Sequence, residues 1–227
     1  MTKELVESIR SSLRSSGDAE RAVGAQKYMK SEMPSLGVRV PEVRSIVTAA
    51  AREFPVASPD ELRHAVVQLW RDATAREERY AAIDLTGLRM VKEDLDMLPV
   101  YEEIIRTGAW WDLVDGVSHR ICALLLAHKS TMTPLLLRWA KDDDMWIRRA
   151  AINAQLGAKS MTDHRLLAAV IDPNLHDKEF FIRKAIGWAL REYSKSDPEW
   201  VRAFVVDNAS TLSPLSLREG TRLLSSS

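Results

Sequence analysis

Apolar residues recur every three or four positions in short segments of this chain, a pattern that predicts helices. The clearest stripes are formed by Ile147, Ala151 and Ala154, and by Ile182, Ala185, Ile186 and Ala189. At 100° per residue, each set occupies one face of a helix. Glycines and prolines separate these segments at short intervals, so the sequence predicts roughly a dozen short helices.

The helical segments repeat with a period of 35 residues. Segments starting at Trp111, Trp146 and Phe181 each open on an aromatic, and the same step backwards reaches Arg76 and Pro41. The fourth positions of the five segments are Arg44, Arg79, Val114, Arg149 and Lys184. Such a period is typical of stacked helical repeats, in which equivalent positions line up. We therefore expect a column of four cations facing an anionic partner; the alternative is a solvated face paired with nearby carboxylates.

Capping residues followed by proline mark several expected helix starts. The pairs are Ser58–Pro59, Thr133–Pro134, Asp197–Pro198 and Ser213–Pro214. Serine, threonine and aspartate favour the N-cap, and proline is tolerated at the first helical position. The sequence contains no long linker, so we expect residues 1–227 to form a single domain.

Composition narrows the class of protein. Nine glycines and nine prolines in 227 residues favour an all-helical fold, and the formal net charge is zero. Bulk charge therefore gives no attraction to nucleic acid or membrane, and anion binding would need an uneven charge distribution. The single cysteine fits a reducing compartment, and no apolar run is long enough for a signal peptide or a membrane span. We expect a cytoplasmic monomer.

Trp111 and Asp115 form the best candidate site. They lie four residues apart, away from the apolar stripe of their segment, which runs through Trp110, Val114 and Val117. Trp188 is the second exposed-indole candidate. The alternative for these tryptophans is packing between helices. The five histidines do not occur at metal-ligand spacing, and no glycine-rich phosphate loop is present.

Several blocks of this sequence resemble the AlkD-like DNA alkylation repair glycosylases. They are YMK at 28–30, LGVRVPE at 36–42, AWWDLVD at 109–115, WIRRAAI at 146–152, KEFFIRKAIGWALREY at 178–193, and Pro214 to Ser216 with Arg218 and Glu219. Their order is kept along most of the chain. The resemblance implies an all-α curved solenoid of HEAT-like repeats, an α-α superhelix whose concave face binds duplex DNA.

The same resemblance implies an activity and site residues. The family are monofunctional N-glycosylases that remove N3- and N7-alkylated purines, such as 3-methyladenine and 7-methylguanine, without a metal or organic cofactor and without deep base flipping. Motif by motif, the essential carboxylate falls on Asp115 and the lesion-facing indoles fall on Trp111 and Trp188. Arg149 falls at the DNA backbone. The other expected DNA contacts are Lys184, Arg183, Tyr28, Arg39 and Arg44, of which Arg183 replaces a neutral residue of relatives.

The residue types suit this chemistry. A cationic purine leaves as a neutral base, so the reaction needs no general acid, and the positive charge that develops on the sugar can be stabilised by a carboxylate. Two alternatives stay open from sequence: a non-catalytic HEAT-like scaffold for a protein partner, and a protein that binds damaged or branched DNA without cutting it.

Overall fold

A computed structural model describes residues 2–224 of the chain, and this part is helical with no β-strand. The all-α prediction is therefore confirmed. The helices belong to two compact units, one ending at Val100 and the other starting at Tyr101. None of the described helices combines the length and apolarity that crossing a bilayer requires.

In the described part of the first unit, five α-helices lie wholly within its bounds. They are α1 (Thr2–Ser15), α2 (Ala19–Met29), α3 (Val40–Glu53), α4 (Pro59–Arg71) and α5 (Arg76–Leu85), followed by short 3-10 turns at Arg89–Val91 and Leu95–Met97. One face of α1 is fully buried through Leu5, Val6, Ile9 and Leu13. This face packs against α3, α4 and α5. The three- and four-residue spacing of these side chains explains why the segment is helical and how it is held.

A buried carboxylate of α5 anchors the loop before α3. Glu77 accepts hydrogen bonds from the Ser35 hydroxyl at 2.6 Å and from the amides of Leu36 and Gly37 at 2.8 and 2.9 Å. Gly37 has a φ of +78°, and a Cβ there would lie 2.2 Å from the Asp18 carbonyl oxygen. Only glycine fits this turn, because an added Cβ would overlap backbone in a conformation that L residues disfavour.

The second unit contains most of the repeated segments. Its described helices are α6 (Leu98–Gly108), α7 (Trp111–Gly116), α8 (Ser118–Ala127), α9 (Lys129–Trp139), α10 (Met145–Ile152), α11 (His164–Ile171), α12 (Phe180–Tyr193), α13 (Pro198–Asp207) and α14 (Pro214–Gly220). Helix α6 starts three residues before the boundary at Tyr101. Short 3-10 turns lie at Lys159–Met161 and Asp172–Asn174. The stripes predicted on α10 and α12 are buried. Helix α10 packs against both α7 and α12.

Helix starts recur at the predicted interval. The N-caps of α3, α5, α7, α10 and α12 are Arg39, Ala75, Trp110, Asp144 and Glu179, at steps of 34 to 36 residues. Counted from its N-cap, the fifth residue of α7, α10 and α12 is Asp115, Arg149 and Lys184 respectively. The period is therefore real, and Asp115 rather than Val114 holds the position equivalent to Arg149.

Three of the four proline-marked helix starts are confirmed. Ser58, Asp197 and Ser213 each accept a hydrogen bond from an amide in the first turn of the helix they cap. The prediction at Thr133–Pro134 is wrong, because α9 already begins at Lys129 and Pro134 lies inside it. Proline there removes one intrahelical hydrogen bond, a local cost that the tertiary packing of α9 outweighs.

Candidate functional site

Helix α7 carries Trp111 and Asp115 on one face. It is only six residues long, and its Leu113 and Val114 are fully buried, which fixes the helix against the unit. Trp111 and Asp115 are one turn apart, so their side chains lie on the same side of α7. Both residues are half-buried. The structure therefore places these two side chains beside each other, as their spacing predicts.

The Asp115 carboxylate forms a two-pronged ion pair with Arg149 of α10. Arg149 Nε donates to Asp115 Oδ1 at 2.9 Å, and Arg149 Nη2 donates to Oδ2 at 2.7 Å. The side chains are 4% and 13% exposed, so the pair is shielded from water. Such bidentate contacts are shorter and stronger than neutral hydrogen bonds, and they fix the orientation of the carboxylate.

Two more contacts complete the setting of this pair. Arg149 Nη1 donates to the backbone carbonyl of Phe181, the second residue of α12, at 2.6 Å. The side-chain amide of Asn153, one turn beyond Arg149, donates to Asp115 Oδ1 at 3.3 Å. Burial raises the pKa of Asp115 above its ordinary value, and the hydrogen bonds and charge of Arg149 oppose that rise. Helices α7, α10 and α12 thus meet at this ion pair.

Aromatic rings of the same three helices pack together beside the ion pair. The centroid of Trp110 lies 6.1 Å from that of Trp146 and 5.4 Å from that of Phe181, and Trp146 and Phe181 are 5.0 Å apart. Tilted and edge-on contacts at these distances stabilise a cluster beyond the area that it buries. The tryptophan of this pair that packs against Trp146 and Phe181 is therefore Trp110, the N-cap of α7, and Trp111 lies outside the cluster.

Trp188 lies on the face of α12 that begins at Phe181. Steps of three and four residues connect Phe181, Lys184 and Trp188, which places them along one side of the helix. Trp188 is half-buried. The two cations that flank it are both bound to Glu219 of α14: Lys184 Nζ donates at 2.8 Å and Arg191 Nη1 at 2.8 Å. Helix α14 therefore fixes the charged surroundings of Trp188.

The contact between α12 and α14 is very close. A Cβ added to Gly187 would lie 2.5 Å from the Cβ of Glu219 and 3.1 Å from the carbonyl oxygen of Ser216. The Ser216 hydroxyl donates to the carbonyl oxygen of Arg183 at 2.9 Å. The Arg183 Nε is buried and has no hydrogen-bond partner among the described residues.

The remaining predicted contacts lie in the first unit. Tyr28 of α2 is 74% exposed, and Arg39 caps α3 without a side-chain hydrogen bond. Both line a cavity of about 320 Å³. Arg44 is largely exposed and lies 3.7 Å from Asp84. These side chains are available at the surface of their unit.

The four cations of the expected column all have partners within the protein. Arg44, Arg149 and Lys184 pair with Asp84, Asp115 and Glu219. The Arg79 guanidinium lies 4.7 Å from the ring centroid of Trp70. The alternative of cations paired with nearby carboxylates describes this geometry better. Helical spacing describes each helix alone and does not reveal these partners, because each of them comes from another helix.

Sequence reasoning overlooked Asn153. A signal was present, since Asn153 interrupts an apolar run after Ala151 and Ile152 and follows Arg149 by four residues. Its partner Asp115 is 38 residues away, so spacing within one helix could not reveal the contact. Between residues 2 and 224, no three His, Cys, Asp or Glu side chains come together in a way that could hold a metal ion.

Known proteins place this arrangement in a family. Residues 9–224 match the family described as DNA alkylation repair enzyme. A solved structure described as a predicted DNA alkylation repair enzyme from Enterococcus faecalis is 31% identical, with a TM-score of 0.83, over 93% of this chain and 98% of that one. Among curated proteins, no sequence matches significantly.

Two more distant structures share the fold. The protein smu.31 from Streptococcus mutans UA159 has a TM-score of 0.61 at 15% identity, over 81% of this chain and 96% of that one. The alkylpurine DNA glycosylase AlkC of Pseudomonas fluorescens, bound to DNA containing an abasic site analogue, has a TM-score of 0.53 at 17% identity, over 98% of this chain and 62% of that one. With the family match spanning nearly the whole sequence, this chain belongs to the DNA alkylation repair enzyme family.

Proposed function

We propose that this protein is a monofunctional DNA glycosylase that excises cationic N3- and N7-alkylated purines from duplex DNA. The observation that carries the proposal is the Asp115 carboxylate, held by Arg149 in a shielded position one turn from Trp111. A fixed negative charge beside an aromatic surface is what a reaction through a cationic sugar requires.

The reaction needs few groups. An alkylated purine with a fixed positive charge leaves as a neutral base, so no residue has to protonate it. Positive charge then grows on the deoxyribose, and Asp115 stabilises that charge and orients or deprotonates the attacking water. Because Asp115 is pre-oriented by two hydrogen bonds from Arg149, little reorganisation accompanies bond cleavage.

The tryptophans supply selectivity for charged bases. An indole face attracts a cation by about 0.5–2 kcal/mol per contact. In the proposed complex, Trp111 and Trp188 contact the cationic nucleotide and gain nothing comparable from a neutral purine. A base that is read in this way can stay in or near the stack, so bulky adducts need no enclosing pocket.

The geometry changes the role that we assign to Arg149. All three of its guanidinium nitrogens donate within the protein, two to Asp115 and one to the Phe181 carbonyl. We therefore assign Arg149 to the orientation of the carboxylate in the DNA-free protein, in place of the phosphate contact expected from sequence.

Contacts to DNA are proposed for the more exposed side chains. Tyr28, Arg39 and Arg44 are accessible in the first unit, and Lys184 retains partial exposure beside Glu219. A DNA complex of the AlkC glycosylase, whose fold is shared over 98% of this chain, supports a nucleic-acid partner. Binding through cations to phosphates depends on salt and little on sequence.

The test compares Asp115→Asn with Asp112→Asn, the same change on the same helix. Duplex DNA containing N7-methylguanine is incubated with excess enzyme, and free base is measured over time. We expect release by the wild type and by Asp112→Asn, and a rate lower by roughly 10² or more for Asp115→Asn with DNA binding retained.

Other outcomes would assign the protein differently. Equal release by wild type and Asp115→Asn would remove Asp115 from the mechanism. DNA binding without any base release would identify a non-catalytic damage-binding protein. Absence of both DNA binding and base release would favour a helical scaffold for a protein partner.

A further inference from the structure

Asn153 is a buried polar residue in direct contact with the candidate site. It ends α10, one turn after Arg149, and it is fully buried. Its Nδ2 donates to Asp115 Oδ1 at 3.3 Å, whereas its own Oδ1 has no hydrogen-bond partner among the described residues. The amide is thus only half satisfied, which costs free energy in a buried position.

Two other buried amides in the same unit behave differently. Asn174 donates to the backbone carbonyls of Ala140 and Val170, and Gln155 both donates to and accepts from the backbone of Asp163. Those amides hold loops and helix ends together. Asn153 instead uses its described side-chain hydrogen bond on the charged carboxylate of Asp115. We therefore expect this amide to affect Asp115 and not the packing of a loop.

Counting acceptor sites on the Asp115 carboxylate gives this bond a specific consequence. Among residues 2–224, Oδ1 accepts from Arg149 Nε and from Asn153 Nδ2, whereas Oδ2 accepts from Arg149 Nη2 alone. Each carboxylate oxygen can accept about two hydrogen bonds. Oδ1 is therefore saturated, and Oδ2 keeps acceptor capacity for a water or a developing cation.

We propose that Asn153 is a positioning residue that saturates Asp115 Oδ1 and thereby directs the reaction to Oδ2. This inference rests on the proposed glycosylase function. Without the amide, Oδ1 could accept the proton of the attacking water in place of Oδ2. It could also face the positive charge on the deoxyribose, and either interaction would have the wrong direction. The carboxylate would also have one less contact to hold its plane, and misorientation by a small angle lowers the rate.

The experiment uses Asn153→Ala with Asn174→Ala as its matched control. Both changes remove a buried amide from the second unit, and only the first touches Asp115. Release of N7-methylguanine is measured at varied concentrations of duplex DNA across a pH series with folded protein, which gives kcat and KM at each pH. For Asn153→Ala we expect kcat to fall about tenfold, equivalent to about 1.4 kcal/mol, with KM and DNA affinity unchanged.

The pH profile separates positioning from mere stability. Loss of a hydrogen bond to the charged form of Asp115 raises the pKa of this carboxyl group. The acid limb of the kcat profile therefore moves to higher pH. Asn174→Ala should leave kcat and the limb where they are. Asn153→Leu, which fills the volume of the lost amide, repeats the test if the alanine variant does not fold.

The outcomes distinguish the two levels of the argument. If the wild type is active and both Asn153 variants keep its kcat and pH profile, the positioning role is overturned and the proposed function stands. If Asn174→Ala loses as much kcat as Asn153→Ala, the effect is general destabilisation and the positioning role is again overturned. If the wild type releases no base, both proposals fall together.

Discussion

Replacement of Arg149 by methionine should be among the most damaging single changes to the stability of this protein. The side chains of Arg149 and Asp115 are 4% and 13% exposed, and the change leaves the Asp115 carboxylate shielded and without its cation. Breaking a buried pair by removing one partner costs about 3–5 kcal/mol, mostly because the remaining charge is unpaired. For a protein of this size, that corresponds to a fall in Tm of roughly 6–20 °C.

The unpaired charge can be separated from the lost packing by a double-mutant cycle. The variants are Arg149→Met, Asp115→Asn and the two combined. Adding Asp115→Asn to Arg149→Met removes the stranded carboxylate, so the double variant should be more stable than Arg149→Met alone. The coupling free energy should exceed about 2 kcal/mol, within the range found for residues in direct contact.

Urea unfolding followed by tryptophan fluorescence is the suitable assay. Six of the seven tryptophans lie in the second unit, so the signal reports mainly on the part of the chain that holds the ion pair. The cost of Arg149→Met should shrink as the pH is lowered. Without the guanidinium, the pKa of Asp115 in the folded state rises further, and a raised carboxyl pKa destabilises the fold only while the group is charged.

Two results would refute this reasoning. The first is a loss of unfolding free energy below about 1 kcal/mol for Arg149→Met, because such a small loss is expected of a solvent-exposed pair. Additive effects of the two changes would show that Asp115 and Arg149 do not interact in solution. Either result would also remove the orientation of Asp115 on which the proposed mechanism depends.

Two further predictions follow from the same geometry. Burial raises the pKa of Asp115 above 3.8, the ordinary value of an aspartate, so the rate of base release should already decline at a pH above 3.8 as the carboxylate is protonated. A rate that stays constant down to pH 3.8 would contradict the need for a charged carboxylate. Gly187→Ala should destabilise the protein by about 1–3 kcal/mol, because its Cβ would meet Glu219 Cβ at 2.5 Å and the Ser216 carbonyl oxygen at 3.1 Å. Gly24→Ala, whose Cβ would meet no atom within 4 Å, is the control, and equal thermal unfolding of the two variants would show that α14 yields easily.

The sequence alone determined the class of fold and its period. Helical spacing of apolar residues is a local property, so the stripes on α10 and α12 could be assigned without knowing what covers them. The interval between helix starts is also local, and it emerges at 34 to 36 residues along α3, α5, α7, α10 and α12. Caps at Ser58, Asp197 and Ser213 were predictable because a cap bonds its own first turn.

Only the tertiary structure decided which residues meet. Counted from the N-caps, Asp115 of α7 is level with Arg149 of α10, and the ring that joins the aromatic cluster is that of Trp110, the N-cap of α7. The position on α7 that is equivalent, by this count, to the column of cations is therefore occupied by an acid, Asp115, which forms an ion pair with the cation Arg149. The partners Asp115, Arg149 and Asn153 come from α7 and α10, and their contacts span 34 and 38 residues. Sequence periodicity specifies the face of each helix, but the rotation of one helix against the next is set by packing, and that rotation decides whether a charge faces solvent or a partner.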